Sequence, residues 1–118
     1  MSFKVSRRQF LPILGIAVFS AAVAYAHDRE VIHFAGASEV VVGQSVSVNI
    51  GVNEAPMSVT FTSVPAGLVS YTATLSSANA TLSVPTNPNA VPGAYVLVAT
   101  PTSGGLAKSI GVLANGVQ

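Results

Sequence analysis

An all-β sandwich is predicted by three observations. Short segments in which apolar and polar residues alternate recur from Val31 to Ala114, the period-2 pattern of half-buried strands. Clusters of Gly, Pro, Asn and Ser separate them at roughly ten-residue spacing, as in sandwiches built of short strands. Between Ala55 and Gln118 the only charged side chain is Lys108, and most of the rest is Ala, Val, Thr, Ser, Gly, Pro and Asn. That half is too apolar for disorder and rich in strand and turn formers. The 118 residues suffice for one domain.

Taken in order, Val31-Ile32-His33-Phe34 is a short strand. Simple alternation places Ile32 and Phe34 on one face and Val31 and His33 on the other. Ala35 to Ser38 is a turn. Val40, Val41 and Val42 form a separate edge-like strand, broken off by Gly43-Gln44. Val46, Val48, Ile50 and Val52 then point to the core, with Ser45, Ser47, Asn49 and Gly51 opposite. Met57, Val59 and Phe61 alternate with Ser58, Thr60 and Thr62. Val69, Tyr71, Ala73 and Leu75 alternate with Ser70, Thr72 and Thr74. Ala80, Leu82 and Val84 alternate with Thr81 and Ser83. Pro85 to Pro92 is a loop. Ala94 to Ala99 is apolar on both faces, which predicts a central strand covered on both sides. Thr100 to Ala107 reads as a loop, and Lys108 to Ala114 closes a C-terminal hairpin.

Met1 to Ala26 reads as an export signal with a helical apolar core. Lys4, Arg7 and Arg8 form its basic start, Leu11 to Val23 its apolar run, and Ala24-Tyr25-Ala26 a small-x-small cleavage pattern. Ser6-Arg7-Arg8-Gln9-Phe10-Leu11 resembles the twin-arginine (Tat) motif, with Pro12 where Lys often follows. The resemblance implies export of an already folded protein. The expected organisation is a signal peptide over residues 1–26 and a sandwich domain over 27–118. The expected location is periplasmic, secreted or at the cell surface, with the membrane touched only through the leader before cleavage. An uncleaved leader acting as an anchor is the other reading.

Val41-Val42-Gly43-Gln44-Ser45-Val46-Ser47-Val48 resembles the opening of bacterial immunoglobulin-like surface domains. Val64-Pro65-Ala66-Gly67-Leu68 is similar to a turn of that family, and Val91-Pro92-Gly93-Ala94-Tyr95-Val96-Leu97-Val98-Ala99 to its glycine-x-tyrosine strand. The likeness runs from Val40 to Ala114. It implies an immunoglobulin-like Greek-key β-sandwich of about seven strands. Within it Tyr95 is expected to anchor the core and hydrogen-bond through its hydroxyl.

Composition narrows the chemistry. With no cysteine, disulfides, thiolate nucleophiles, cysteine-ligated metals and leader lipidation are excluded. The net charge of +1 comes from the leader. Beyond residue 26, Arg29 and Lys108 face Asp28, Glu30, Glu39 and Glu54, a net of −2, and nothing corresponds to a nucleic-acid-binding patch. Two histidines and four scattered carboxylates offer no convergent acid–base set, so no enzyme is expected. Asn79-Ala80-Thr81 is a glycosylation sequon that otherwise reads as a turn running into a strand.

Two functional readings remain. In the first, the protein is an exported, non-enzymatic binding or structural module without a cofactor. It acts through uncharged Ser/Thr faces or sheet edges on a protein or cell-surface partner, or on itself. In the second, it binds copper. Ionisable groups crowd between His27 and His33, and cleavage after Ala26 would give His27 a free α-amine beside its imidazole, to which His33 could add a second nitrogen. Pro92 to Gly105 also resembles a strand and turn of the CopC-type periplasmic copper proteins. That family's Asp-Gly-His is here Ser103-Gly104-Gly105-Leu106. A solvated terminus with His33 on an exposed strand face is the plainer account of the same residues.

Overall fold

The computed structural model describes residues 29–117. They form eight strands and no helix. The strands are β1 (Val31–Gly36), β2 (Glu39–Val41), β3 (Val46–Val52), β4 (Met57–Val64), β5 (Ser70–Leu75), β6 (Asn79–Val84), β7 (Gly93–Pro101) and β8 (Lys108–Asn115). Two sheets pack face to face. One has the order β1-β3-β6 and the other β2-β8-β7-β4-β5. The chain changes sheet between β1 and β2, β2 and β3, β3 and β4, β5 and β6, and β6 and β7, which is Greek-key connectivity. The export leader lies outside the described residues.

The inward faces of β3 and β4 follow their alternation. Val46, Val48, Ile50 and Val52 from one sheet meet Met57, Val59 and Phe61 from the other, all buried. Phe61 sits at the middle of this layer, with its ring 5.8 Å from Phe34 and 6.3 Å from Tyr71. Strand β7 is central as expected, flanked by β8 and β4, and it buries Tyr95, Leu97 and Ala99.

Three expectations are corrected. In β1, Val31 and Phe34 both face the core, while Ile32 is 51% exposed. The register slips from Val31↔Val52 to His33↔Gly51, so Ile32 is the extra residue of a β-bulge. One inserted residue inverts the phase, and His33 therefore turns outward beside Gly51. The expected turn at Ala35-Gly36 instead continues β1 to Gly36. The third correction concerns β7, which is covered on one face only: Val96 is 41% exposed, and Val98 is half-buried. Branched apolar residues suit a strand on either face, so composition alone did not mark the solvent side.

The edge-like reading of residues 40–42 holds, with the strand at Glu39–Val41 parallel to β8 at the end of the larger sheet. The chain switches sheets within two residues. Ala37 N–H still donates to Ser47 C=O (3.2 Å), and Ser38 C=O already accepts from Leu113 N–H (2.8 Å). Gly36 precedes the switch where a Cβ would lie 3.0 Å from both Ser47 O and Val48 Cγ1, so a larger residue would crowd the crossing.

Two buried hydroxyls tie the loops. Ser63 Oγ accepts from Leu68 N–H (3.1 Å) and Val69 N–H (3.2 Å) and donates to Pro65 C=O (3.0 Å), closing the β4–β5 turn. Thr86 Oγ1 accepts from Gly43 N–H (2.8 Å) and donates to Gln44 C=O (2.6 Å). That pair pins the loop after β6 to the β2–β3 turn, where Gly43 adopts φ +89°, a conformation glycine takes without strain.

Candidate functional site

The ionisable cluster is the first candidate. His27 and Asp28 lie outside the described residues. Arg29 donates to Pro56 C=O (2.6 Å), and its Nε lies 3.9 Å from Glu54. Glu30 N–H donates to Asn53 Oδ1 (2.8 Å). These contacts fasten the first described residues to the β3–β4 turn. His33 stands on the outer face of the three-stranded sheet, in the row His33–Gly51–Asn79. A shallow cleft of about 440 Å³ there is lined by His33, Asn49, Ile50, Asn79, Ala80 and Thr81. Thr81 Oγ1 donates to Asn49 Oδ1 (2.8 Å). The side chains brought to His33 are thus neutral amides and a hydroxyl. Among the described residues no three His, Cys, Asp or Glu side chains converge.

The outer face of the five-stranded sheet is the second candidate, and it has two halves. Over β4 and β5 it is a hydroxyl ladder. Ser58 pairs with Thr74 (2.9 Å) and Thr60 with Thr72 (3.2 Å), each across the strand register. Such cross-strand pairs add roughly 0.2–1 kcal/mol each. Toward β7 and β8 the face turns apolar, with Val64, Val96 and Leu113 exposed at 60%, 41% and 44%. Sequence alternation anticipated the first half and missed the second.

The sheet edges are the third candidate. Edge strands carry unpaired backbone groups that recruit other strands. Strand β1 is bulged, carries His33 and follows directly on Arg29 and Glu30. Strand β2 is three residues long and begins with exposed Glu39, whose carboxylate accepts from Asn115 Nδ2 (3.0 Å). Strands β5 and β6 are six residues each, without charge, proline or bulge.

Tyr95 supplies a mark of the fold. Its hydroxyl donates to Val91 C=O (2.6 Å), four residues upstream, which is the tyrosine corner of immunoglobulin-like sandwiches. With the two packed sheets and their Greek-key connections, it places the chain in the class of immunoglobulin-like β-sandwich proteins. The solved D00-D0 domain of Intimin is similar to it, with a TM-score of 0.57 and 18% identity over 75% of this chain. The chain matches 48% of that structure, about half its length, and the likeness bears on fold alone. No family model and no curated protein matches the chain.

Proposed function

We propose that this is an exported, non-enzymatic binding or structural protein that engages a protein or cell-surface partner through its sheet edges and outer faces. One observation carries the reading. The β5 and β6 edge strands are regular in register and uncharged, as is the hydroxyl face, and Lys108 is the only charged side chain from Ala55 onward. A purely solvated surface has no need to leave strand edges free of lysines and prolines. Export rests on Ser6 to Leu11 and the Ala24 to Ala26 pattern, and places the protein in the periplasm or beyond.

Two experiments test this. Replacing Arg7 and Arg8 with Lys should hold the precursor in the cytoplasm; unchanged export would assign the general secretory route. Binding of the purified protein to isolated envelopes of the producing cells should survive removal of residues 27–30 and fail in Val41→Lys combined with Thr72→Lys. The reverse pattern would sink the binding-module reading.

Copper binding through His27 and His33 is a second reading, favoured by the bulge that turns His33 outward. A Cu(II) titration of the processed protein that develops a visible d–d band, lost in His33→Ala, would support it. A titration without such a band would remove it.

A further inference from the structure

Resting on the binding-module reading above, we propose that β5 is a self-association edge, at which a second copy of this chain adds its own β5 in antiparallel register about Thr72. The phase of the backbone carries this. Thr102 N–H donates to Ser58 C=O (3.0 Å), so Ser58 turns its backbone groups toward β7. Opposite Val59 in β7 stands Pro101, which has no N–H to give. Backbone groups of successive residues point to opposite sides of a strand. Hence Ser58, Thr60 and Thr62 bond to β7, while Met57, Val59 and Phe61 bond to β5. Their partners there are Leu75, Ala73 and Tyr71. Ser70, Thr72 and Thr74 therefore aim their N–H and C=O groups away from the sheet, of which β5 is the last strand. Just ahead of the strand, Leu68 C=O is taken by Asn87 N–H (2.9 Å), on the same phase. The outward ladder is capped at that rung and open along the next three residues of its phase.

The occupant follows from the symmetry of those residues. Antiparallel pairing about Thr72 sets Thr72 opposite Thr72 of the second copy, and Ser70 opposite its Thr74. Every outward donor then meets an outward acceptor, giving about six backbone hydrogen bonds. The hydroxyl pairs seen across β4 and β5 repeat across the new seam. On the inner face Tyr71 of each copy meets Ala73 of the other, covering two half-buried residues that already pack on the core. A cleft of about 330 Å³ lined by Gly67 to Ser70 and Pro85 to Asn87 lies where the second copy's Ser76-Ser77 turn falls. No charge stands from Ala55 to Ala107, so like-charge repulsion does not oppose the pairing, and no charge on the edge selects a different partner.

The test uses protein purified from cells expressing the whole chain, which has no cysteine of its own. In the proposed register the two Thr72 Cα atoms stand about 5.5 Å apart, inside the roughly 4.4–6.8 Å range of disulfides. Thr72→Cys should form a cross-linked dimer under mild oxidation, about tenfold or more faster than Ser70→Cys, whose self-partner lies four rungs away. Sedimentation equilibrium should show a dimer for the wild type, weakened about 100-fold or more in Thr72→Lys, where two lysines would face each other. Thr72→Pro should have the same effect, because the lost N–H is the outward one. Circular dichroism checks that both variants stay folded. Val41→Lys should leave the dimer intact. A wild type that stays monomeric at micromolar to millimolar concentration overturns the proposal, and so does equal cross-linking of Ser70→Cys. Dissociation by Val41→Lys in place of Thr72→Lys would overturn it too. Because Thr72→Lys enters both tests, the wild type separates the two readings: a monomer by sedimentation that still binds envelopes fails the dimer alone, and a dimer that binds no envelope fails the binding-module reading alone.

Discussion

At one flank of the sandwich the edges are β1 and β2, and both are irregular. Strand β1 carries a bulge at Ile32 and follows on Arg29 and Glu30, and β2 stops after three residues that start at Glu39. At the other flank the edges are β5 and β6. Both are regular, uncharged and six residues long. Bulges, short edges and charges are the devices by which sheets refuse extra strands. The molecule spends all of them on one flank. The lesson is that two edges of equal β-propensity differ in availability, and that the difference resides in irregularity and charge placement more than in hydrophobicity.

Substitutions that separate the flanks test the comparison, beginning with the one that joins them. Phe61 lies between Phe34 of the irregular flank and Tyr71 of the open one. Phe61→Ala should cost about 3–5 kcal/mol, the range for emptying a buried aromatic site, and raise hydrogen exchange in β1 and β5 together. Exchange rising at one flank alone would show that the two are stabilised independently. Ser63→Ala should come next, on the order of 2–4 kcal/mol, because the N–H groups of Leu68 and Val69 lose their acceptor in a buried turn. The check is a lower urea midpoint with an unchanged slope. A change within about 0.5 kcal/mol would mean that water replaces the hydroxyl.

A proline pair reads the backbone phase directly. Ala73→Pro removes an N–H that bonds to β4 and should cost roughly 1–3 kcal/mol. Thr72→Pro removes one that faces solvent and should change monomer stability by less than about 1 kcal/mol. Equal losses in thermal melts would refute the assignment of outward groups. A further small effect is expected away from both flanks. Tyr95→Phe deletes the hydroxyl bonded to Val91 C=O and should cost about 0.5–1.5 kcal/mol, measured by chemical denaturation.

The candidate site was legible only in part. The Ser and Thr faces could be read from alternation, because β4 and β5 obey a strict period of 2. Ser63 shares the inward phase of Met57, Val59 and Phe61, so a polar residue on a core phase was the available signal for the buried turn. The bulge at Ile32 had none, since an inserted residue looks like ordinary alternation until a partner strand sets the register. Nor could the apolar patch of Val64, Val96 and Leu113 be seen. It comes from three strands that are neighbours only in the folded sheet.

By itself the sequence determined the all-β class, the placement of the strands from β3 to β8, the inward residues of β3 and β4, and the tyrosine anchor. These follow from local rules: side chains alternate along a strand, and glycine and proline end it. The tertiary structure decided that β1, β5 and β6 are edges beside β2, which face of β7 meets water, that Val31 turns inward ahead of the bulge, and which backbone groups of β5 remain free. Each of these depends on pairing between segments distant in the chain, and a change of one residue in register inverts the answer.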